Sequence, residues 1–130
     1  MIIIGHRFIP SKNLFHVNSI DAIKKTPSSS CIYLEFCEEN LEIINHARAN
    51  NILFALSATT VAEVLYASNL GASYILTKKN FSNIAQNLAN EYLFDAKILS
   101  IIEEEAEIEE LALQSIDGVI FANAIIKTPS

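Results

Sequence analysis

The chain has 130 residues, a formal net charge of −6 and a pI of about 4.9. Apolar residues make up 51% of it and charged residues 18%, which is typical of one folded domain with a substantial core and excludes a disordered chain. The acidic balance argues against a nucleic-acid partner and against an anionic membrane surface, because both require clustered lysine and arginine. No leader segment and no run of about 18 apolar residues is found, so we expect no membrane contact.

The predicted elements alternate between strands and helices along the chain. Strands are expected at Met1–Ile4, Leu14–Val17, Cys31–Phe36, Ile52–Ser57, Tyr74–Thr77, Lys97–Ile102 and Val119–Ile126. Helices are expected at Ile20–Lys25, Asn40–Asn50, the segment from Thr59 or Thr60 to Gly71, Asn80–Phe94 and Glu104–Ser115. From residue 31 onwards, a strand and a helix together occupy about twenty residues, the period of parallel α/β folds.

The strands are continuous apolar runs, which is typical of a parallel sheet buried on both faces by helices. The sequence therefore predicts a single three-layer α/β domain over residues 1–130, with a mostly parallel, doubly wound sheet of the flavodoxin-like or receiver-like kind. The alternative is half of a (β/α)₈ barrel that pairs with a second copy, because six or seven strands are too few for an eight-stranded barrel.

The two cysteines, Cys31 and Cys37, flank one predicted strand. The rise of a strand places them roughly 20 Å apart, beyond the reach of a disulfide. Free thiols are typical of a reducing compartment, so we expect a cytoplasmic protein.

Parallel α/β folds bind ligands outside the carboxyl ends of their strands. In this chain those ends carry Glu35, Ser57, Thr59, Lys78 and Glu103, which we take as the candidate ligand-binding residues. Hydroxyl groups and a lysine at one rim could hold a phosphate, and the carboxylates could support acid–base work. The alternative interpretation is that these are ordinary polar residues at the points where buried strands meet solvent.

Motifs for specific cofactors are absent from the sequence. There is no glycine-rich phosphate loop, no dinucleotide fingerprint and no nucleophile elbow. The three histidines are scattered without metal-ligand spacing, and the glutamates of residues 103–110 are explained by the favourable position of acids at a helix N-terminus. We therefore predict no cofactor, no metal and no catalytic residue.

The segment 52–81 reads ILFALSATTVAEVLYASNLGASYILTKKNF and resembles the second half of a response-regulator receiver domain. The similar features are Ser57-Ala58 at a strand end, the helix that closes on Gly71-Ala72, and the aromatic strand from Tyr74 to Lys78. In that family the hydroxyl residue and the lysine contact phosphoryl oxygens. The resemblance therefore implies that Ser57 and Lys78 occupy such positions.

The first half of the chain departs from the receiver pattern. Receivers hold Mg²⁺ with an acidic pair after the first strand, where this chain has Gly5-His6-Arg7. The position of the phospho-accepting aspartate is taken by Glu35. The resemblance thus implies a degenerate receiver that is not phosphorylated in the ordinary way, with Glu35 as a fixed negative charge beside Lys78.

A second, shorter resemblance is to the strand beginnings of phosphate-binding (β/α)₈ barrel enzymes. It rests on the segments 71–75, 97–103 and 117–120.

Three functional hypotheses follow from the sequence. The first is a non-catalytic, receiver-like interaction or regulatory module with a protein partner, a homodimer by default. The second is a small enzyme or binding protein for a phosphorylated small molecule, with its site at the strand ends. The third is a subunit that pairs through an exposed strand edge near Ile125 and Ile126.

Overall fold

A computed structural model describes residues 1–128 of the chain, and eight parallel strands form one sheet in it. The strands are β1 (Ile2–Ile4), β2 (Leu14–His16), β3 (Cys31–Glu35), β4 (Phe54–Ser57), β5 (Tyr74–Lys78), β6 (Lys97–Ile102), β7 (Gly118–Phe121) and β8 (Ile125–Lys127). The helices are α1 (Ile20–Ile23), α2 (Leu41–Ala49), α3 (Val61–Leu70), α4 (Lys79–Glu91) and α5 (Glu107–Leu113). The strand order is β1-β7-β6-β5-β4-β3-β2-β8. The expected α/β class with a parallel sheet is confirmed.

Each central strand divides its side chains between two apolar cores. In β3, Ile32 and Leu34 belong to an outer core shared with the helices, whereas Tyr33 belongs to an inner core. This division follows from the alternation of side chains across a strand. The buried members of the inner core are Ile4, Leu14, Tyr33, Ala55, Leu76, Leu99, Ile120 and Ala124. Within residues 1–128 none of them comes from an α-helix. This face of the sheet is therefore covered by side chains of the strands themselves and not by helices.

The connection between β7 and β8 requires the sheet to curl. These strands stand second and eighth in the strand order, so a flat sheet would separate them by six strand spacings, about 29 Å. Phe121 and Ile125 are four residue steps apart, which reach at most about 14 Å. The sheet therefore bends until its two ends approach each other, as the half-barrel alternative anticipated.

The last strand differs from the sequence-based expectation. A continuous strand Val119–Ile126 was expected, but a 3₁₀ turn at Ala122–Ala124 divides it into β7 and β8. The turn lets the first part pair with β1 and the second part pair with β2. The apolar run could not reveal this break, because the residues on both sides of it are ordinary strand formers.

The helix ends follow from local sequence. The hydroxyl of Ser19 accepts a hydrogen bond from the N–H of Ala22 at 3.0 Å, which caps α1. Thr60 caps α3 in the same way by accepting from the N–H of Glu63. Gly71 ends α3 with a φ of 93°, a left-handed conformation that glycine adopts at low cost. No helix within residues 1–128 has the length and apolar character needed to cross a bilayer.

Candidate functional site

Four of the five candidate residues surround one cavity at the carboxyl edge of the sheet. Glu35, Ser57, Thr59 and Lys78 all line this cavity, whose volume is about 270 Å³. We call it the mouth cavity. Glu35 is the last residue of β3, Ser57 the last of β4 and Lys78 the last of β5, so three adjacent strands deliver them. Thr59 follows β4 in the loop that leads to α3.

Strand register explains why these side chains share one cavity. Glu35 lies opposite Ser57, and Ser57 lies opposite Leu76, two residues before Lys78. Tyr33 and Leu76 belong to the inner core, so two-residue alternation directs Glu35 and Lys78 to the same concave side of the sheet. The mouth cavity is therefore the continuation of the inner core towards solvent.

The floor of the mouth cavity is apolar and its rim is polar. Tyr33 and Leu76 are buried beneath it, and Ile101 closes it on the side of β6. Glu35, Thr59 and Lys78 are exposed at the rim, and Ser57 is half-buried between them. An apolar base with a few convergent polar groups is the usual composition of a small-molecule site.

Glu103 lies apart from the other four candidates. It follows β6 and lines a neighbouring cavity of about 440 Å³ with Ile102, Glu104 and Glu107. Lys78 and Ile101 border both cavities, so Lys78 stands between the mouth cavity and an acidic cluster. Glu103 is thus a neighbour of the mouth cavity, separated from it by Lys78 and Ile101.

Sequence reasoning missed His16 and Tyr33. The rings of these residues lie 5.0 Å apart in an edge-to-face arrangement, His16 at the end of β2 and Tyr33 in the middle of β3. His16 follows Leu14 by two residues, which places it on the inner side of the curled sheet. That spacing was the available signal, but β2 is only three residues long and its inner face could not be assigned from sequence.

The electrostatic environment couples these two residues to Glu35. Burial lowers the pKa of His16, and Lys127 lowers it further, whereas the Glu35 carboxylate acts in the opposite direction. Burial raises the pKa of the Tyr33 phenol, with Glu35 adding to the rise and Ser57 opposing it. At neutral pH both rings are therefore uncharged, and the fixed charges of the mouth are those of its carboxylates and lysines.

Two loops at this edge bind their own glutamate side chains. The N–H and hydroxyl of Thr59 both donate to Oε1 of Glu63, at 2.8 Å and 3.0 Å. The N–H groups of Glu103 and Glu104 both donate to Oε2 of Glu107 at 2.9 Å. In each loop an internal carboxylate occupies the amides that could otherwise bind an external anion.

No protein-family model matches the chain. A search of curated proteins likewise finds no matching relative. The functional argument therefore rests on the chemistry of the mouth cavity.

Two larger cavities at the opposite edge of the sheet also have polar linings, with Lys24 and Ser28 in one and Arg48 and Asn69 in the other, but no carboxylate of residues 1–128 lines either of them. One of about 530 Å³ is formed by the turns around Pro27 and Asn51, and another of about 450 Å³ by those around Asn51 and Gly71. Within residues 1–128 no group of three or more His, Cys, Asp or Glu side chains is placed to hold a metal ion. The mouth cavity is the better candidate because cationic, hydroxyl and carboxylate groups converge on it.

Proposed function

We propose that this chain is a non-catalytic regulatory module that binds a small anionic metabolite, such as a phosphorylated one, in the mouth cavity. The observation that carries the proposal is the convergence of Lys78, Ser57 and Thr59 on one cavity. The Lys78 ammonium and the Ser57 hydroxyl are suitable donors to phosphate or carboxylate oxygens, whereas the Thr59 hydroxyl already donates to Glu63. The apolar floor of Tyr33, Leu76 and Ile101 would take the carbon skeleton of the ligand.

The size of the cavity supports a small ligand. Pockets for drug-sized molecules have volumes of about 300–1,000 Å³, and the mouth cavity falls just below that range at about 270 Å³. The ligand class that fits best is therefore a metabolite smaller than a nucleotide.

A binding role is favoured over catalysis by the way the loops use their amides. Enzymes stabilise developing negative charge with preorganised donors, often backbone N–H groups at the ends of strands. Here the amides of Thr59, Glu103 and Glu104 are already bound by Glu63 or Glu107. These amides are therefore unavailable to stabilise developing charge at the mouth cavity, which favours recognition without chemistry.

A thermal-shift screen with inorganic phosphate, phosphorylated small molecules and nucleotides tests this proposal. We expect a ligand-specific rise in Tm for the wild type, because binding to the folded state alone stabilises it. The rise should be lost in Lys78→Ala and kept in Lys97→Ala, which removes an exposed lysine from the amino end of β6. A response that is equal in both variants would refute a site at the mouth cavity.

The second candidate function is a self-associating, receiver-like interaction module, as the resemblance over residues 52–81 implies. The observation that favours it is the position of β8 at one end of the strand order, paired only with β2 within residues 1–128. Ile125 packs against the inner core, whereas Ile126 is 36% exposed. Ile126→Lys therefore tests the strand edge with less effect on the inner core than a change at Ile125. The wild type should run as a dimer on size exclusion and the variant as a monomer, and a monomeric wild type would refute self-association.

A further inference from the structure

The charges at the rim of the mouth cavity have opposite signs and do not neutralise each other. Glu35 and Lys78 stand at the ends of β3 and β5, on either side of Ser57 at the end of β4. Both are exposed, yet the ion pairs of residues 1–128 do not include one between them. Two unpaired groups of opposite sign at one cavity can each bind a complementary group of a single ligand.

We propose that the ligand of the mouth cavity is a small zwitterion, whose anionic group binds Lys78 and Ser57 and whose primary ammonium binds Glu35. This inference rests on the proposed function, since it specifies the class of metabolite that the same site binds. It adds a second recognition element, at Glu35, to the anion-binding element at Lys78.

The surroundings of Glu35 suit an ammonium group. The Tyr33 ring lines the cavity beside Glu35, and the His16 ring lies 5.0 Å from that of Tyr33. Aromatic faces attract cations, and a carboxylate beside them supplies the opposite charge. Because burial lowers the pKa of His16, its ring is neutral near pH 7 and does not compete for Glu35 as a cation.

The mouth cavity limits the length of the ligand. Glu35 and Lys78 are two strand intervals apart, about 10 Å between strand axes, and Lys78 lies two residues beyond the position level with Glu35. Both side chains line a cavity of only about 270 Å³, so the ligand that contacts both is a short molecule. O-phosphoethanolamine and β-alanine, which join one anion to one primary ammonium through two carbons, are therefore suitable probes.

Paired probes separate the ammonium from the anion. Isothermal titration would compare O-phosphoethanolamine with ethyl phosphate, and β-alanine with propionate, because each second compound lacks only the amine. A charge-assisted hydrogen bond at Glu35 should make the zwitterion of each pair bind about tenfold to a hundredfold more tightly. Glu35→Gln should remove that preference, and Lys78→Ala should weaken both members of a pair.

The matched control is Glu91→Gln, which removes one negative charge from an exposed position at the end of α4. It should leave the preference unchanged. Equal affinities within each pair, together with sensitivity to Lys78→Ala, would overturn the zwitterion inference and leave the anion site standing. A preference that survives Glu35→Gln would also overturn it. Failure of all four probes and of the metabolite screen would refute the proposed function itself.

Discussion

The side-chain carbonyl of Gln86 accepts a hydrogen bond from the backbone N–H of Asp117 at 2.8 Å. Gln86 lies in α4 and Asp117 immediately precedes β7, so the contact joins elements 31 residues apart. Asp117 in turn accepts a hydrogen bond from the N–H of Ile98, at the beginning of β6. These two bonds align the beginnings of β6 and β7 beneath a helix.

Gln86→Ala should destabilise the fold by about 1–3 kcal/mol, because it leaves the Asp117 N–H without its acceptor next to a buried surface. Gln86 is only 3% exposed, so water has little access to replace the bond. Urea unfolding would measure the loss. Asn87→Ala, at an exposed position one residue later, should change the free energy of unfolding by less than about 0.5 kcal/mol. Equal effects of the two variants would contradict the role given to Gln86.

Gly118→Ala should destabilise the protein by about 1–3 kcal/mol through steric overlap. A Cβ atom at Gly118 would lie 2.7 Å from the carbonyl oxygen and Cβ of Ile2 and from Cδ2 of Leu99. The overlap falls on the pairing of β1 with β7, since Gly118 lies opposite Ile2. Denaturant unfolding compares this variant with the wild type, and an unchanged midpoint would contradict the close approach.

Gly71 provides the matched comparison for Gly118. No atom lies within 4 Å of a Cβ at Gly71, but its φ is 93°. Gly71→Ala should therefore cost about 1 kcal/mol from backbone conformation alone. Asparagine tolerates this conformation, so Gly71→Asn should be milder than Gly71→Ala, whereas Gly118→Asn should be more severe than Gly118→Ala.

Glu107→Gln should lower stability at neutral pH and have no effect in acid. The backbone N–H groups of Glu104 and Glu103 hold the pKa of Glu107 below its ordinary value of 4.5. A carboxyl whose pKa is lowered in the folded state contributes stability above its unfolded pKa, and loses it as the pH falls through the folded value. Thermal unfolding of both proteins at a series of pH values from about 7 to about 3 should show the difference between their Tm values shrinking as the pH falls below 4.5. Glu109→Gln, whose side chain accepts no hydrogen bond within residues 1–128, should show no such dependence.

Cys37 should react with a thiol reagent faster than Cys31. Burial raises the pKa of Cys31 to about 12, because its side chain packs against the inner core. The thiolate is the reactive form, so Cys31 should be inert in the folded protein. Partial burial and a hydrogen bond with Glu39 raise the pKa of Cys37 as well, but Cys37 lies outside both apolar cores. Titration with a chromogenic disulfide at pH 8, about half a unit below the ordinary thiol pKa, should therefore modify one thiol in the wild type and in Cys31→Ser. Cys37→Ser should react only after urea is added; rapid reaction of that variant would contradict the burial of Cys31.

Strand and helix positions were predictable where the apolar pattern was long. The expected helix Asn80–Phe94 covers all of α4, Lys79–Glu91, except its first residue, and the expected strand Lys97–Ile102 matches β6. The curl of the sheet was harder to predict from the sequence, because it depends on a turn at Ala122–Ala124 within an apolar run. Alternating or continuous patterns of apolar residues do not indicate which strands are neighbours in a sheet. The pairing of β8 with β2 therefore could not be predicted from the sequence.

The mouth cavity was partly predictable for a topological reason. All the strands are parallel, so their last residues meet at one edge, and Glu35, Ser57 and Lys78 were located by that rule. His16 was missed because β2 has only three residues, too few for the sequence to indicate that Leu14 and His16 face the inner core beside Tyr33. Glu63 was missed because its contact with Thr59 is a local feature of one loop.

β1 pairs with β7, which is synthesised much later, and this delay affects folding during synthesis. Ile2 pairs with Gly118, so during synthesis β1 waits 116 residues for its partner. Until then an isoleucine-rich edge and one side of the inner core are open to water and to other nascent chains. Contacts between residues so far apart in the sequence also slow the last step of folding, the pairing of β1 with β7. We therefore expect the chain to reach the native state only after β7 has been synthesised, with β1 as the segment that a chaperone would need to shield until then.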